Sequence, residues 1–428
     1  MDSAQSDGQK QATAQAVRNM SGIMGSRLWS LALRTVASLI VARVAGPGPM
    51  GFLGWLGIFP VYATWLTFGV VSGAERRVPV LRGEERADAV WPVWAAAWGV
   101  NLLAMAVCVA AGAAATLCTL GAGPLASLRW LAAGALAAAS LWQSFVMSLL
   151  GTEKRFGLLG RMFLVEGVCV WVLLPLAWFG VGGITLRALA IVVLPALLLW
   201  RASRLFHRPS LRDAALLRSL AVEGLPVMIA NFLLIFSYGL SRTLVGVLMT
   251  DLDMGYFVLA MNIVQLVRIV QYSIGRVLLP RLGELHGSSE GRTHVVARAV
   301  AGPLAAALGV CVLAAAAGWV LIGPVTAWLL PSYVPGVAAA RATLPGMVLT
   351  AATGSYVFFV AIGRQRQLIW MFLAGVAVQA QASLWLFNRG LGLASFGWGF
   401  SIGMAVTAFL VNAGVLYYAV RRSPRSGR

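Results

Sequence analysis

The chain has 428 residues, 60% of them hydrophobic and only 11% charged, where a soluble domain carries roughly 25% charged residues. That composition excludes an ordinary water-soluble globule, and apolar runs of roughly 20 residues, long enough to cross a bilayer as helices, exclude a transmembrane β-barrel. The net charge of +19 arises from 33 basic and 14 acidic residues, but the basic ones stand mostly in loops between apolar runs, which marks membrane topology and not nucleic-acid binding.

Residues 1–21 read as a polar cytoplasmic tail. The first apolar run is full length and lacks a small-residue cleavage site, so it is not a signal peptide. Apolar runs predict helices over 22–44, 50–73, 90–117, 125–150, 157–179 and 186–205. Six more follow over 225–248, 254–279, 295–322, 337–362, 368–387 and 393–420. The connections alternate in charge: those at 45–49, 121–124, 180–185, 250–253, 331–336 and 389–392 are nearly free of basic residues. The others carry Arg76, Arg77, Arg82 and Arg86, then Lys154, Arg155 and Arg161, Arg201 to Arg218, Arg281, Arg292 and Arg298, Arg364 and Arg366, and the tail 421–428. The positive-inside rule places this second set, and both chain ends, in the cytoplasm.

The pattern predicts an all-α polytopic membrane protein of about twelve transmembrane helices in two pseudo-symmetric six-helix bundles around a central cavity. The lobes are 22–205 and 223–420, joined by a cytoplasmic linker over 206–222 and followed by a basic cytoplasmic tail over 421–428. A trace of the repeat survives: Pro49-Met50-Gly51-Phe52 opens the second helix, and Asp253-Met254-Gly255-Tyr256 opens the eighth.

Arginine deep in a bilayer costs roughly 2.5–3.5 kcal/mol on insertion scales, so each one needs a cavity or a partner. Arg27, Arg34, Arg43, Arg242 and Arg268 fall within predicted helices away from the basic loops. In the first helix Arg27, Ser30, Arg34 and Ser38 share one stripe; in the eighth Asn262, Gln265, Arg268, Tyr272 and Arg276 lie close together on the circumference. In the seventh, Asn231, Tyr238 and Arg242 share a face. A polar cavity rich in arginine points to an anionic substrate, because the guanidinium fork suits phosphate oxygens and stays charged at any pH. The bland readings are snorkelling for Arg27, an interfacial place for Arg276, an outer-loop anchor for Arg43, and a tie from Arg242 to Asp251 or Asp253.

Glu166, the one carboxylate well inside a predicted helix, is open to two readings: an ion- or proton-coupling residue, or a salt-bridge partner for a cavity arginine. Trp55, Tyr62 and Trp65 beside Pro60 suit either sugar stacking or interfacial packing, with Gln143, Gln379 and Gln381 as weaker hydroxyl partners. Cys108, Cys118, Cys169 and Cys311 sit in apolar runs and predict neither disulfides nor metal. His207, His286 and His294 fall in basic loops, against a buried metal site. No cofactor is expected.

The run from Leu39 through Ala42-Arg43-Val44-Ala45-Gly46-Pro47 to Met50-Gly51 closely resembles the end of the first helix in Wzx-type polysaccharide flippases. These belong to the multidrug/oligosaccharidyl-lipid/polysaccharide (MOP) exporter superfamily. Leu240-Ser241-Arg242-Thr243 resembles a family segment that usually carries Asp-Arg, here with Ser241 in place of the acid, and Gly255-Tyr256 matches its following Gly-Tyr. The resemblance implies alternating access of two lobes around a V-shaped cavity in the bacterial inner membrane. It also implies an undecaprenyl-diphosphate-linked oligosaccharide as substrate and no covalent chemistry. Related peptidoglycan-precursor flippases are similar in carrying first- and eighth-helix arginines, which would correspond to Arg27, Arg34 and Arg268, but they usually have fourteen helices.

On this reading Arg27, Arg34 and Arg268 hold the diphosphate, with Arg242, Tyr272, Gln265, Asn262, Asn231 and Tyr238 as further substrate contacts. Expected partners are membrane lipids, a proton or sodium counter-ion, and a polysaccharide polymerase or other biosynthesis proteins, the chain itself being a monomer. The alternatives are an ion-coupled multidrug exporter, whose cavity should carry acids, and a polytopic glycan ligase or glycosyltransferase, which usually has a large outer loop with reactive residues.

Overall fold

The computed structural model describes residues 25–26, 29–203, 208–258, 260–262, 282, 285 and 293–420. Apolar composition and the lack of backbone partners in lipid leave helices as the spanning element, and every regular element among the described residues is helical. In chain order these are α1 over 29–45, α2 (Pro47–Leu56), α3 (Phe59–Ala63), α4 (Val70–Gly83), α5 (Val90–Cys118), α6 (Pro124–Thr152), α7 (Phe156–Val172) and α8 (Gly180–Ser203). They continue with α9 (Ala214–Leu248), α10 over 251–258 and 260–262, α11 (Thr293–Leu329), α12 (Val337–Ala352), α13 (Tyr356–Ala361), α14 (Gln365–Asn388) and α15 (Ala394–Val420).

Nine stretches among the described residues are long and apolar enough to cross a membrane. Of the other expected spans, α1 and α7 fall just short of that length and α10 is described in part. The chain is a multi-pass membrane protein with room for about twelve crossings.

Several predicted helices are broken or displaced, each at an identifiable residue. The second, expected over 50–73, divides into α2, α3, a 3-10 turn (Thr64–Thr67) and α4. Pro60 cannot donate to the helix ladder, and Phe68 (φ 45°) and Gly69 (φ 77°) turn the chain left-handed before α4. Gly69 is also required sterically, because a Cβ there would lie 2.6 Å from the Leu225 nitrogen. The fifth ends at Val172, and a 3-10 segment with Pro175 (Leu174–Phe179) leads into α8. The sixth therefore starts at Gly180, inside the predicted loop 180–185, and the seventh starts at Ala214 within the predicted linker.

The chain divides into two compact units: Met1–Ala45 with Tyr62–Leu225, and Gly46–Val61 with Pro226–Arg428. All three crossover points fall beside Gly46, Pro60 or Pro226, where the helix ladder is interrupted or one of its donors is missing. The core of unit 1 is built on Trp98, which stacks on Phe145 at 5.0 Å and leans on Trp142 at 5.1 Å, with Leu149, Met162 and Phe163 around it. In unit 2, α14 and α15 approach closely: Cβ atoms at Gly375, Gly399 and Gly403 would overlap Thr407, Ser383 and Gln379 respectively. Small residues four apart let membrane helices pack backbone to backbone.

Candidate functional site

Three helices of unit 1 converge on a charged cluster. Arg34 on α1 donates from Nη1 to the Glu166 carboxylate on α7. The carboxylate is nearly sealed, its side chain 6% exposed, while that of Arg34 is 50% exposed. Of the two readings of Glu166, the structure therefore shows the ion pair. Arg187 on α8 is 7% exposed and donates from Nη2 to the Val170 carbonyl at 3.0 Å. Its Nε, also buried, has no hydrogen-bond partner among the described residues. Arg34 and Arg187 thus reach α7 one turn apart, at Glu166 and at Val170. Ala37, Val170 and Ile191, one turn along from Arg34, Glu166 and Arg187, pack into a shared apolar layer with Leu173 and Leu174. Gly167 allows the approach, since a Cβ there would lie 3.1 Å from Leu33 and 3.4 Å from the Ser30 Cα.

Among the described residues the cluster holds two guanidinium groups to one carboxylate, an arrangement that favours an anion and repels a cation. Arg187 is absent from the sequence-derived candidates, as are Arg129 and Arg341, which also lie within helices. The cause is helix phasing. With 180–185 read as a loop, Arg187 falls in the first turn of its helix, at the interface; with α8 starting at Gly180 it lies two turns inside. The signal available was composition, for Gly180-Val181-Gly182-Gly183-Ile184 carries no polar turn residue.

Unit 2 receives the other described candidates. Asn231 is exposed and Asn262 half-buried. Tyr238 is buried in the core against Phe400, ring centroids 6.4 Å apart. Arg242 lies over Gly57, where a Cβ would stand 2.7 Å from its Nη1. Ser241, which stands where the resembling family has an acid, is fully buried, donates to the Phe396 carbonyl at 2.9 Å and accepts from Gln379 Nε2 at 3.2 Å. Gln379 Nε2 also donates to the Ser237 carbonyl at 2.9 Å. The fully buried Gln379 is thus a structural bolt between α9 and α14, and Gln381 on the same helix is exposed. Arg27, Gln265, Arg268, Tyr272 and Arg276 lie outside the described residues.

The two Met-Gly motifs of the sequence repeat meet in unit 2. A Cβ on Gly51 would overlap the Asp251 carbonyl, and a Cβ on Gly255 would overlap the Pro47 carbonyl. One constant offset along the chain carries Gly51 to Gly255 and Pro47 to Asp251, so the two contacts are equivalent. In unit 1, Arg77 on α4 donates to Ser219 at 2.7 Å and pairs with Glu223 at 3.5 Å.

A model of a polysaccharide biosynthesis protein family matches residues 153–322, a stretch that includes Glu166 and Arg187. No curated relative matches the chain in sequence. Among solved structures, lipid II flippase MurJ in an inward closed conformation aligns with a TM-score of 0.72 at 10% identity, over 93% of this chain and 90% of that one. An inward-facing multidrug resistance MATE family transporter of the MOP superfamily aligns with a TM-score of 0.66 at 18% identity, over 90% and 94%. The Vibrio cholerae MATE transporter VcmN, solved as a point mutant, gives 0.61 at 15% identity, over 95% and 98%. The chain has the fold of these flippase and transporter structures. The resemblance to MOP polysaccharide flippases carried by Arg43 to Gly51 and by Leu240 to Tyr256 is borne out by both the family model and the fold.

Proposed function

We propose that this protein is a flippase that turns a polyprenyl-diphosphate-linked oligosaccharide from the cytoplasmic to the outer leaflet of the bacterial inner membrane by alternating access. One observation carries the reading: a half-exposed Arg34 in a membrane-spanning cluster whose guanidinium groups outnumber its carboxylate two to one. Arg34, with Arg27 and Arg268 from the sequence pattern, holds the diphosphate, while Asn231, Asn262, Gln265, Tyr272 and Arg242 meet the glycan or its linkage. No covalent bond changes; the rate comes from conformational exchange. A proton or sodium counter-ion would meet Glu166 only once Arg34 has let it go.

Complementation tests this. Arg34→Ala and Arg268→Ala each remove a charged hydrogen-bond donor worth roughly 1.5–3 kcal/mol, so each should cut surface polysaccharide export about tenfold or more. Wild-type glycan from both variants at normal expression sinks the assignment. The likeness to MATE transporters favours a second reading, export of cationic drugs by the same fold. The charge of the α1–α7–α8 cluster opposes it, and a drug-susceptibility panel on the deletion strain separates the two.

A further inference from the structure

Among the described residues Glu166 is the one carboxylate in the cluster, and two arginines of very different character reach α7 beside it, Arg34 at Glu166 itself and Arg187 at Val170 one turn on. Arg34 is half open and already on the carboxylate. Arg187 is sealed, spends only Nη2 on the Val170 carbonyl, and leaves Nε without a partner among the described residues. Val170 lies one turn beyond Glu166 on the same face of α7, about 6 Å along the helix. A single change of side-chain rotamer spans that distance for a chain as long as arginine. A sealed carboxylate is costly to leave charged and unpaired, so Arg34 turns to another anion at least cost when a second cation, or a proton, takes its place at Glu166.

We infer that Arg187 is a relief partner for Glu166: when an anionic head group binds Arg34, the carboxylate passes from Arg34 to Arg187. Bound to neither end exclusively, Glu166 sets the threshold for substrate. Without substrate it holds Arg34 in place and neutral in effect, and a diphosphate must out-compete it. Arg187 is thereby a positioning residue that acts through Glu166 and touches no substrate. The unused Nε and the single backbone acceptor follow from this role, since a guanidinium with all its donors engaged could not exchange. The inference rests on the reading that Arg34 holds an anionic head group.

The test is diphosphate binding to the full-length protein in nanodiscs by calorimetry, with farnesyl diphosphate and inorganic pyrophosphate as probes. Arg187→Gln should weaken farnesyl diphosphate binding about tenfold, because Glu166 then has nowhere else to go. Glu166→Gln should tighten it severalfold. In Glu166→Gln with Arg187→Gln, affinity should return to that of Glu166→Gln alone, and Arg187→Lys should bind within about twofold of wild type. If the double variant stays as weak as Arg187→Gln, Arg187 acts through the fold or touches the ligand itself, and the exchange is refuted. Arg34→Gln isolates the underlying reading: wild-type affinity there overturns the role of Arg34, whereas weak binding there with unchanged Arg187→Gln overturns the exchange alone. Pyrophosphate matching farnesyl diphosphate assigns recognition to the diphosphate; a large gap assigns it to the lipid and counts against the proposal.

Discussion

In unit 1 the polar groups sealed among α1, α7 and α8 carry charge, with Arg34 on Glu166 and Arg187 on a lone carbonyl. In unit 2 the polar residues buried whole on α9, α12, α14 and α15 are neutral among the described residues, although Arg242 and Arg341 each bury their Nε. Gln379 bridges Ser237 and Ser241, Ser401 accepts from the Gly346 nitrogen at 2.8 Å and donates to the Ala342 carbonyl at 2.7 Å, and Asn412 joins Ser355 to the Ala352 carbonyl. Neutral hydrogen bonds between close-packed helices are local and hold one arrangement. A charge pair with a surplus cation is long-ranged and answers to whatever anion arrives. On the proposed function the two units would divide the work, the neutral network fixing helices and the charged cluster responding to substrate.

The largest effect that bears on this contrast is expected when both arginines are removed. Arg34→Ala with Arg187→Ala strands Glu166 and should destabilise the protein by about 3–5 kcal/mol, seen as lost monodispersity and a lower thermal midpoint. Each single change should cost far less than half of that, because the other arginine stands in. Equal and additive losses would erase the distinction between the units. Next comes Gln379→Leu in unit 2, which leaves the Ser237 carbonyl without that donor and should cost about 1–3 kcal/mol, with diphosphate affinity unchanged. Ser401→Ala should cost about 1 kcal/mol by thermal unfolding. The smallest effect is expected at Arg86, 3.7 Å from Glu84 with both side chains more than half exposed. Arg86→Ala should shift stability by at most about 1 kcal/mol and respond to salt.

Much of this was legible in the chain. The alternation of basic and neutral loops gave the crossings, because insertion physics acts on loop charge directly. Arg34 stood out because a helix starting near residue 22 places it mid-membrane whatever the details at the ends. Arg187 did not, because its depth depends on where α8 begins, and glycine-rich apolar residues do not declare whether they turn or coil. Tyr238 shares a helical face with Asn231, yet it lies in the core while Asn231 is exposed. Periodicity fixes direction around the axis, but what lies opposite changes along a helix of 35 residues. Gln379, a weak hydroxyl partner by sequence, became a structural bolt only through Ser241, a position remote in the chain.

The reciprocal contact of Gly51 with Asp251 and Gly255 with Pro47 has the form of an isologous homodimer interface folded into one polypeptide. In a true dimer one mutation alters both copies at once; here each copy can drift alone, but either change parts the same two turns. Gly51→Ala and Gly255→Ala should therefore give the same phenotype, and combining them should add little to either. A symmetry of which the sequence keeps only the Met-Gly-aromatic trace is enforced, at these two glycines, by backbone contact.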